Sequence, residues 1–268
     1  MASQKLAVIG HPISHSLSPL LHNVMLQQMG FDGVYTAENV VVENLPYWVE
    51  KVRNENILGF NATMPHKEHL IPLLDELTEE ARFYGAVNTV RNDNGRLIGH
   101  NTDGDGFYAM LTKHSLTFCD KHVIILGAGG SSGAIFKKAI AAGAKEVYVL
   151  NRTLSRAEDL CRGIPNATAL ELSAPLNPNA DLLINTLPLG AGIVPNRLDG
   201  LKKSCAVIDI LYAPPKTELL LAAEARGMVA INGLGMLIHQ AILAFGFFYS
   251  VVPNAMEMAD ILYKKVEE

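Results

Sequence analysis

Four short stretches carry residue types that local folding does not explain. In Asn61-Ala62-Thr63-Met64-Pro65-His66-Lys67, a helix opening at Pro65 would put Lys67 in its first turn, where the helix dipole disfavours a cation. Either Lys67 is a solvated lysine tolerated at a few tenths of a kcal/mol, or the same field favours release of its proton and readies it for acid–base work. The position favours the second. In His15-Ser16-Leu17-Ser18-Pro19, Ser18 precedes a proline and is biased to extended backbone, so Ser16 and Ser18 at i and i+2 should turn two hydroxyls to one side. Ser18 as a cap for a helix opening at Pro19 is an equally good account of that residue, and it leaves Ser16 unexplained. Asn101-Thr102-Asp103-Gly104-Asp105-Gly106 begins like a calcium loop, but Thr112 stands at the twelfth position, where a bidentate Glu is needed. Calcium is rejected, and Asp103 is then either part of a capped turn or a carboxylate aimed into a cleft.

The fourth stretch runs from His122–Leu126 (HVIIL) into Gly127-Ala128-Gly129-Gly130-Ser131-Ser132-Gly133. A buried strand, a glycine turn and a helix start can hold a pyrophosphate on backbone N–H groups. Where NAD would call for an acidic residue at the end of the next strand, this chain has Asn151-Arg152-Thr153, with Arg156 one turn later. A guanidinium there suits a 2′-phosphate, which points to NADP.

The elements that must position these groups alternate in type. LAVIG, VYTAENV and ILGFNATM read as strands, with helices from Pro19 to about Met29, from Leu45 to Arg53 and from Pro65. Ala86–Val90 and Leu97–Gly99 suggest a hairpin around Asn94-Gly95. A connecting helix spans 104 to about 118, and VIIL, VYVL, DLLINT, AVIDI and VAIN follow as Rossmann strands. The apolar Leu234–Val252 is interrupted by His239, Gln240 and two glycines, which favours a buried helix over a membrane span. The expectation is an α/β protein: an N-terminal α/β substrate domain at 1–103, completed by C-terminal helices at about 237–268, and a Rossmann NADP-binding domain at 104–236, with a cleft between them.

The 268 residues, 49% of them hydrophobic, suffice for two cores. A net charge of −5 gives no basic footprint for nucleic acid. Cys119, Cys161 and Cys205 lack disulfide or zinc spacing, and the N-terminus carries no signal pattern, which fits a reducing cytoplasm. His66 and His69, three apart without a third ligand, do not make a metal site. A small-molecule substrate is expected, with no nucleic acid, no membrane and no metal, for a monomer or homodimer.

Taken in order, these motifs resemble the shikimate dehydrogenase family from the first strand to the last helices. HSLSP is similar to its carboxylate-binding serine pair, which implies Ser16 and Ser18 on the substrate. NATMPHK resembles NVTxPxK, making Lys67 the catalytic lysine with Asn61 and Thr63 beside it; GAVNT gives Asn88, and NTDGDGF gives Asn101 and Asp103, the lysine's partner. DILYAP brings Tyr212 and GLGMLIHQA brings Gln240 to the substrate. For the cofactor, the resemblance implies Gly127, Ala128, Gly129, Gly130, Ser131, Asn151, Arg152, Thr153, Arg156, Thr186, Ile210, Gly233 and Met236. Ala62, Ala213 and Ala191 depart from the usual Val, Asn and Met, and the last leaves contacts at Asn185–Gly190 open.

The implied reaction is reversible, NADP-dependent reduction of 3-dehydroshikimate to shikimate, a step toward chorismate and the aromatic amino acids. The alternative is a quinate/shikimate dehydrogenase able to use NAD, against which Arg152 and Ser18 argue. A folate-linked dehydrogenase would not need the serine pair, and an NADP-binding regulatory module would need neither Lys67 nor Asp103.

Overall fold

The computed structural model describes residues 3–55, 57–190, 195–251 and 253–268. Two compact units divide the chain: Met1–Gly106 with Leu237–Glu268, and Phe107–Met236.

The first unit opens with β1 (Gln4–Gly10), α1 (Ser18–Met29), β2 (Gly33–Asn39), α2 (Leu45–Asn54) and β3 (Gly59–Ala62). It continues through α3 (His66–His69), β4 (Glu76–Leu77), α4 (Glu79–Tyr84), β5 (Thr89–Asp93), β6 (Arg96–His100) and the start of α5 (Asp103–Lys113). The strand order is β2-β1-β3-β5-β6-β4. β1 is parallel to β2 and β3, while β5 runs antiparallel to both β3 and β6. The expected hairpin is present: Asn94 and Gly95 have φ of 53° and 92°, the paired left-handed geometry of a two-residue turn that matches strand twist. Ile9, Trp48, Phe60, Leu70, Val90 and Leu97 belong to one core cluster of this unit.

The second unit carries β7 (His122–Leu126), α6 (Gly130–Ala141), β8 (Glu146–Asn151), α7 (Leu154–Cys161), β9 (Ala167–Glu171) and β10 (Leu182–Asn185). β11 (Ala206–Asp209), α8 (Glu218–Ala225) and β12 (Ala230–Asn232) follow, then α9 (Leu234–Tyr249) and α10 (Ala255–Glu267), which return the chain to the first unit. The sheet is wholly parallel, in the order β12-β11-β10-β7-β8-β9. This is the doubly wound arrangement, with its switch point between β7 and β10. Both faces are covered, by clusters around Phe107, Ile125 and Ile135 and around Leu126, Leu183 and Leu219, which is why these strands read as unbroken apolar runs.

β4, α4 and β9 are additional to the elements expected. β4 has two residues, α4 six, and β9 is an edge strand without a fully buried residue, so none has the apolar period that marks longer elements. Leu234–Tyr249 is a helix with Ile238, Ile242 and Phe245 buried. No described helix is long and apolar enough to cross a membrane.

Candidate active site

Lys67, Asn88 and Asn101 of the first unit converge on Asp103. Its Oδ2 lies 2.5 Å from the Lys67 Nζ. Both side chains are largely withdrawn from solvent, at 13% and 5% exposure, so the pair is shielded from the screening that weakens surface ion pairs. The other carboxylate oxygen accepts from Asn88 Nδ2 at 2.9 Å, and the Asp103 N–H donates to Asn101 Oδ1 at 2.9 Å, which fixes the first residue of α5. Asn88 also donates to Thr102 Oγ1 at 2.9 Å and to Gln240 Oε1 at 3.4 Å. The backbone is fastened as well, since Val87 N–H donates to the Lys67 carbonyl at 2.8 Å. Polar side chains from distant parts of the sequence thus form one connected set.

α3, however, is a single turn of four residues opening at His66, with Pro65 before it. So short a helix carries little macrodipole, and the field expected at Lys67 is weak. The Asp103 carboxylate supplies the electrostatic environment instead. His66 braces this turn: its Nε2 lies 2.7 Å from the Val40 carbonyl, which can only accept, so that nitrogen carries the proton. Burial holds its pKa below the ordinary value. His69 contacts the Pro65 carbonyl at 2.9 Å, and among the described residues no group of His, Cys, Asp and Glu could hold a metal.

The capping account of Ser18 fails. Ser18 is itself the first residue of α1, Leu17 holds the cap position, and no side-chain cap bond forms. The Ser18 N–H instead meets Ser16 Oγ at 3.3 Å, and Ser18 is buried while Ser16 is half-buried. Thr63 is half-buried between β3 and α3, where its N–H donates to the Ile9 carbonyl at 2.9 Å.

Asn61 and Asn101 have internal partners. Asn61 donates to the Asn88 carbonyl and Thr89 Oγ1 and accepts from the Tyr35 hydroxyl. Asn101 is 0% exposed, and its Nδ2 donates to the Ala86 carbonyl. Both act here by holding neighbours in place.

In the second unit, Gly127 closes β7 with φ of 114°, and a Cβ there would collide with Thr186 Oγ1. Thr186 donates its one proton to the Leu126 carbonyl at 2.7 Å, so Ser132 must be the donor in the 2.5 Å contact between the two hydroxyls. Ser132 in turn accepts the Gly129 N–H at 3.1 Å. Ser132 is therefore a loop-setting residue absent from the expected site, although it stands inside the glycine motif. Gly129 caps α6 and a Cβ there would meet nothing within 4 Å, leaving an open approach beside Ala128, Gly130 and Ser131 at the helix N-terminus.

At the end of β8, Asn151 Nδ2 donates to the Thr153 carbonyl at 2.9 Å. Arg152 and Arg156 are exposed, with no ion-pair partner among the described residues. An open helix start on one strand and two uncompensated guanidiniums after its neighbour fit a dinucleotide bearing an extra phosphate. Gly233 packs so closely on the Ile210 peptide that any side chain would collide with it. Met236, expected at the nicotinamide, is 7% exposed and belongs to the core cluster with Phe107 and Ile231. Tyr212 follows β11 and is half-buried, in the second unit. Ala191 lies outside the described residues. A cavity of about 490 Å³ borders Asn185, Gly190, Asp209, Leu211 and Thr217, and no glycine-loop residue lines it.

The shikimate dehydrogenase substrate binding domain profile matches residues 8–90, and the shikimate / quinate 5-dehydrogenase profile matches 110–187. A shikimate dehydrogenase (NADP(+)) of Alkaliphilus metalliredigens is 44% identical over 89% of this chain and 88% of its own length. The chain belongs to the shikimate dehydrogenase family. Among solved members, shikimate 5-dehydrogenase from Thermus thermophilus in complex with NADP(H) and shikimate superposes with a TM-score of 0.86 at 33% identity, covering 98% of this chain and 99% of that one. The fold also serves other substrates: 5-ketofructose reductase of Gluconobacter superposes with a TM-score of 0.84 at 31% identity, covering 98% and 99%.

Proposed function

We propose that this chain catalyses the reversible, NADP-dependent interconversion of 3-dehydroshikimate and shikimate, with Lys67 as the proton-transfer group. The observation that carries the reading is the shielded Lys67–Asp103 pair, oriented through Asn88. Bound NADP(H) supplies or takes up the hydride. A carbonyl receiving hydride becomes an alkoxide and needs a proton donor within hydrogen-bond reach. The Lys67 ammonium meets that need in the direction of reduction, and its neutral amine takes the proton back in oxidation. Asp103 keeps the ammonium aimed through Oδ2 and binds a ring hydroxyl.

Ser16 and Ser18 hold the substrate carboxylate on neutral hydroxyls, with Thr63, Asn88, Tyr212 and Gln240 completing its site and Asn61 and Asn101 fixing the neighbours. The glycine loop holds the pyrophosphate on α6, and Arg152 and Arg156 clamp the 2′-phosphate. Free thiols and the use of NADPH fit an enzyme of the reducing cytoplasm, working as a monomer or homodimer. The test is a four-way assay pairing NADP or NAD with shikimate or quinate. Turnover greatest with NADP and shikimate is expected; a preference for NAD with quinate would overturn the assignment.

A further inference from the structure

We propose that the Tyr35 hydroxyl is a positioning group for the proton transfer at Lys67, acting through Asn61, Thr89 and Asn88 on Asp103; the inference rests on the function proposed above. Tyr35 lies on β2, at the edge of its sheet, yet is 1% exposed, its ring stacked on the His22 imidazole at 4.1 Å and 4°.

A row of hydrogen bonds runs from it in one direction only. The single Tyr35 hydroxyl proton goes to Asn61 Oδ1 at 2.7 Å, which turns the Asn61 amide nitrogen toward the Asn88 carbonyl at 3.0 Å and Thr89 Oγ1 at 2.9 Å. With its lone pair engaged by Asn61, Thr89 directs its own proton to Asn88 Oδ1 at 2.8 Å. Asn88 Oδ1 also receives the Thr102 N–H at 2.9 Å, so the Asn88 amide must present Nδ2 to Asp103 Oδ1 at 2.9 Å. The opposite Asp103 oxygen holds Lys67. Reversing the Asn88 amide would set a carbonyl oxygen against the carboxylate; its orientation is held from two sides, by Thr89 at the end of the row from Tyr35 and by the Thr102 N–H. Burial raises the Tyr35 pKa well above the ordinary phenol value, which keeps the starting proton in place.

A buried phenol also needs a partner simply to be buried. That role alone would show in stability and not in turnover. The experiment compares kcat, KM for shikimate and for NADP, and melting temperature in wild type, Tyr35→Phe, Thr89→Val, Asn88→Ala and the Tyr35→Phe/Asn88→Ala double variant. Tyr35→Phe is expected to lower kcat about tenfold with both KM values within about twofold, and Thr89→Val, which breaks the same row at a second link, should do likewise. In the double variant, Tyr35→Phe should cost no further kcat, because its route to Asp103 is already cut. His22→Phe, which keeps a ring against Tyr35, should retain wild-type kcat.

An active wild type whose Tyr35→Phe and Thr89→Val variants keep full kcat overturns this inference alone, as do independent, additive losses in the double variant. If Tyr35→Phe does not fold, Thr89→Val decides by the same criteria. A wild type inactive on shikimate with NADP overturns the proposed function and this inference with it.

Discussion

Gly106 in α5 and Gln240 in α9 meet backbone to backbone: a Cβ on Gly106 would lie 2.7 Å from both the nitrogen and the Cβ of Gln240. The missing side chain lets α9 come close enough for Gln240 Oε1 to reach Asn88 and Thr102, at 3.4 and 3.5 Å. Gly106→Ala sets two effects against each other. Alanine gains up to about 1 kcal/mol in helix propensity, while forced separation of packed helices costs about 1–3 kcal/mol. The clash should win. A melting temperature lower by a few degrees and a raised KM for shikimate are expected; a more stable variant with unchanged KM would mean that α9 yields freely.

Lys67→Ala and Lys67→Met should each lower kcat by about 100-fold or more, the usual worth of a positioned general acid. Stability should fall as well, because Asp103 keeps its burial and loses the cation beside it. Circular dichroism and NADP affinity should stay near wild type. A kcat loss below about tenfold would assign the proton to another group.

Arg152→Ala should raise the KM for NADP about tenfold or more, the loss of a charged hydrogen bond. The KM for NAD, which lacks the 2′-phosphate, should hardly move. Parallel changes for both cofactors would remove Arg152 from the clamp.

Ser16→Ala and Ser18→Ala should weaken substrate binding with smaller changes in kcat, since the carboxylate charge is constant through hydride transfer. As Leu17 occupies the cap position of α1, losing the Ser18 hydroxyl should leave the melting temperature within about a degree. A lower melting temperature with unchanged KM would restore a purely structural role.

Burial lowers the His22 imidazole from 6.5 to about 3. Between those values the unfolded chain binds a proton that the fold excludes, so this residue's contribution to stability is complete above pH 6.5 and declines as the pH falls toward 3. Each pH unit in the window is worth at most about 1.4 kcal/mol. In urea denaturation, wild type should lose about 2 kcal/mol more than His22→Phe between pH 7 and pH 4.5. Parallel pH profiles would show that His22 titrates normally.

Local signals carried much of the molecule. The glycine turn after HVIIL, the Asn94-Gly95 hairpin and the apolar runs of β7, β8, β10 and β11 depend on backbone geometry and burial that a few adjacent residues encode. Motif order added the family and the residues to inspect. Where a reading depends on an element's true length or start, the structure differs: the helix that carries Lys67 in its first turn is a single turn with little macrodipole, and of the two readings of Ser18 the cap is excluded because Leu17 occupies that position.

The sequence by itself determined the α/β class, the glycine turn after the strand that opens the second unit's sheet, and the family to which its motifs belong. Only the tertiary structure decided what each polar side chain is bonded to. Asn61 stands opposite Thr89 because β3 and β5 run antiparallel in that register. Asn88 reaches Gln240 across 152 residues because Gly106 lets α9 approach. Periodicity encodes which side of an element is buried, whereas the partner of a buried donor is set by neighbouring elements whose register no local pattern contains.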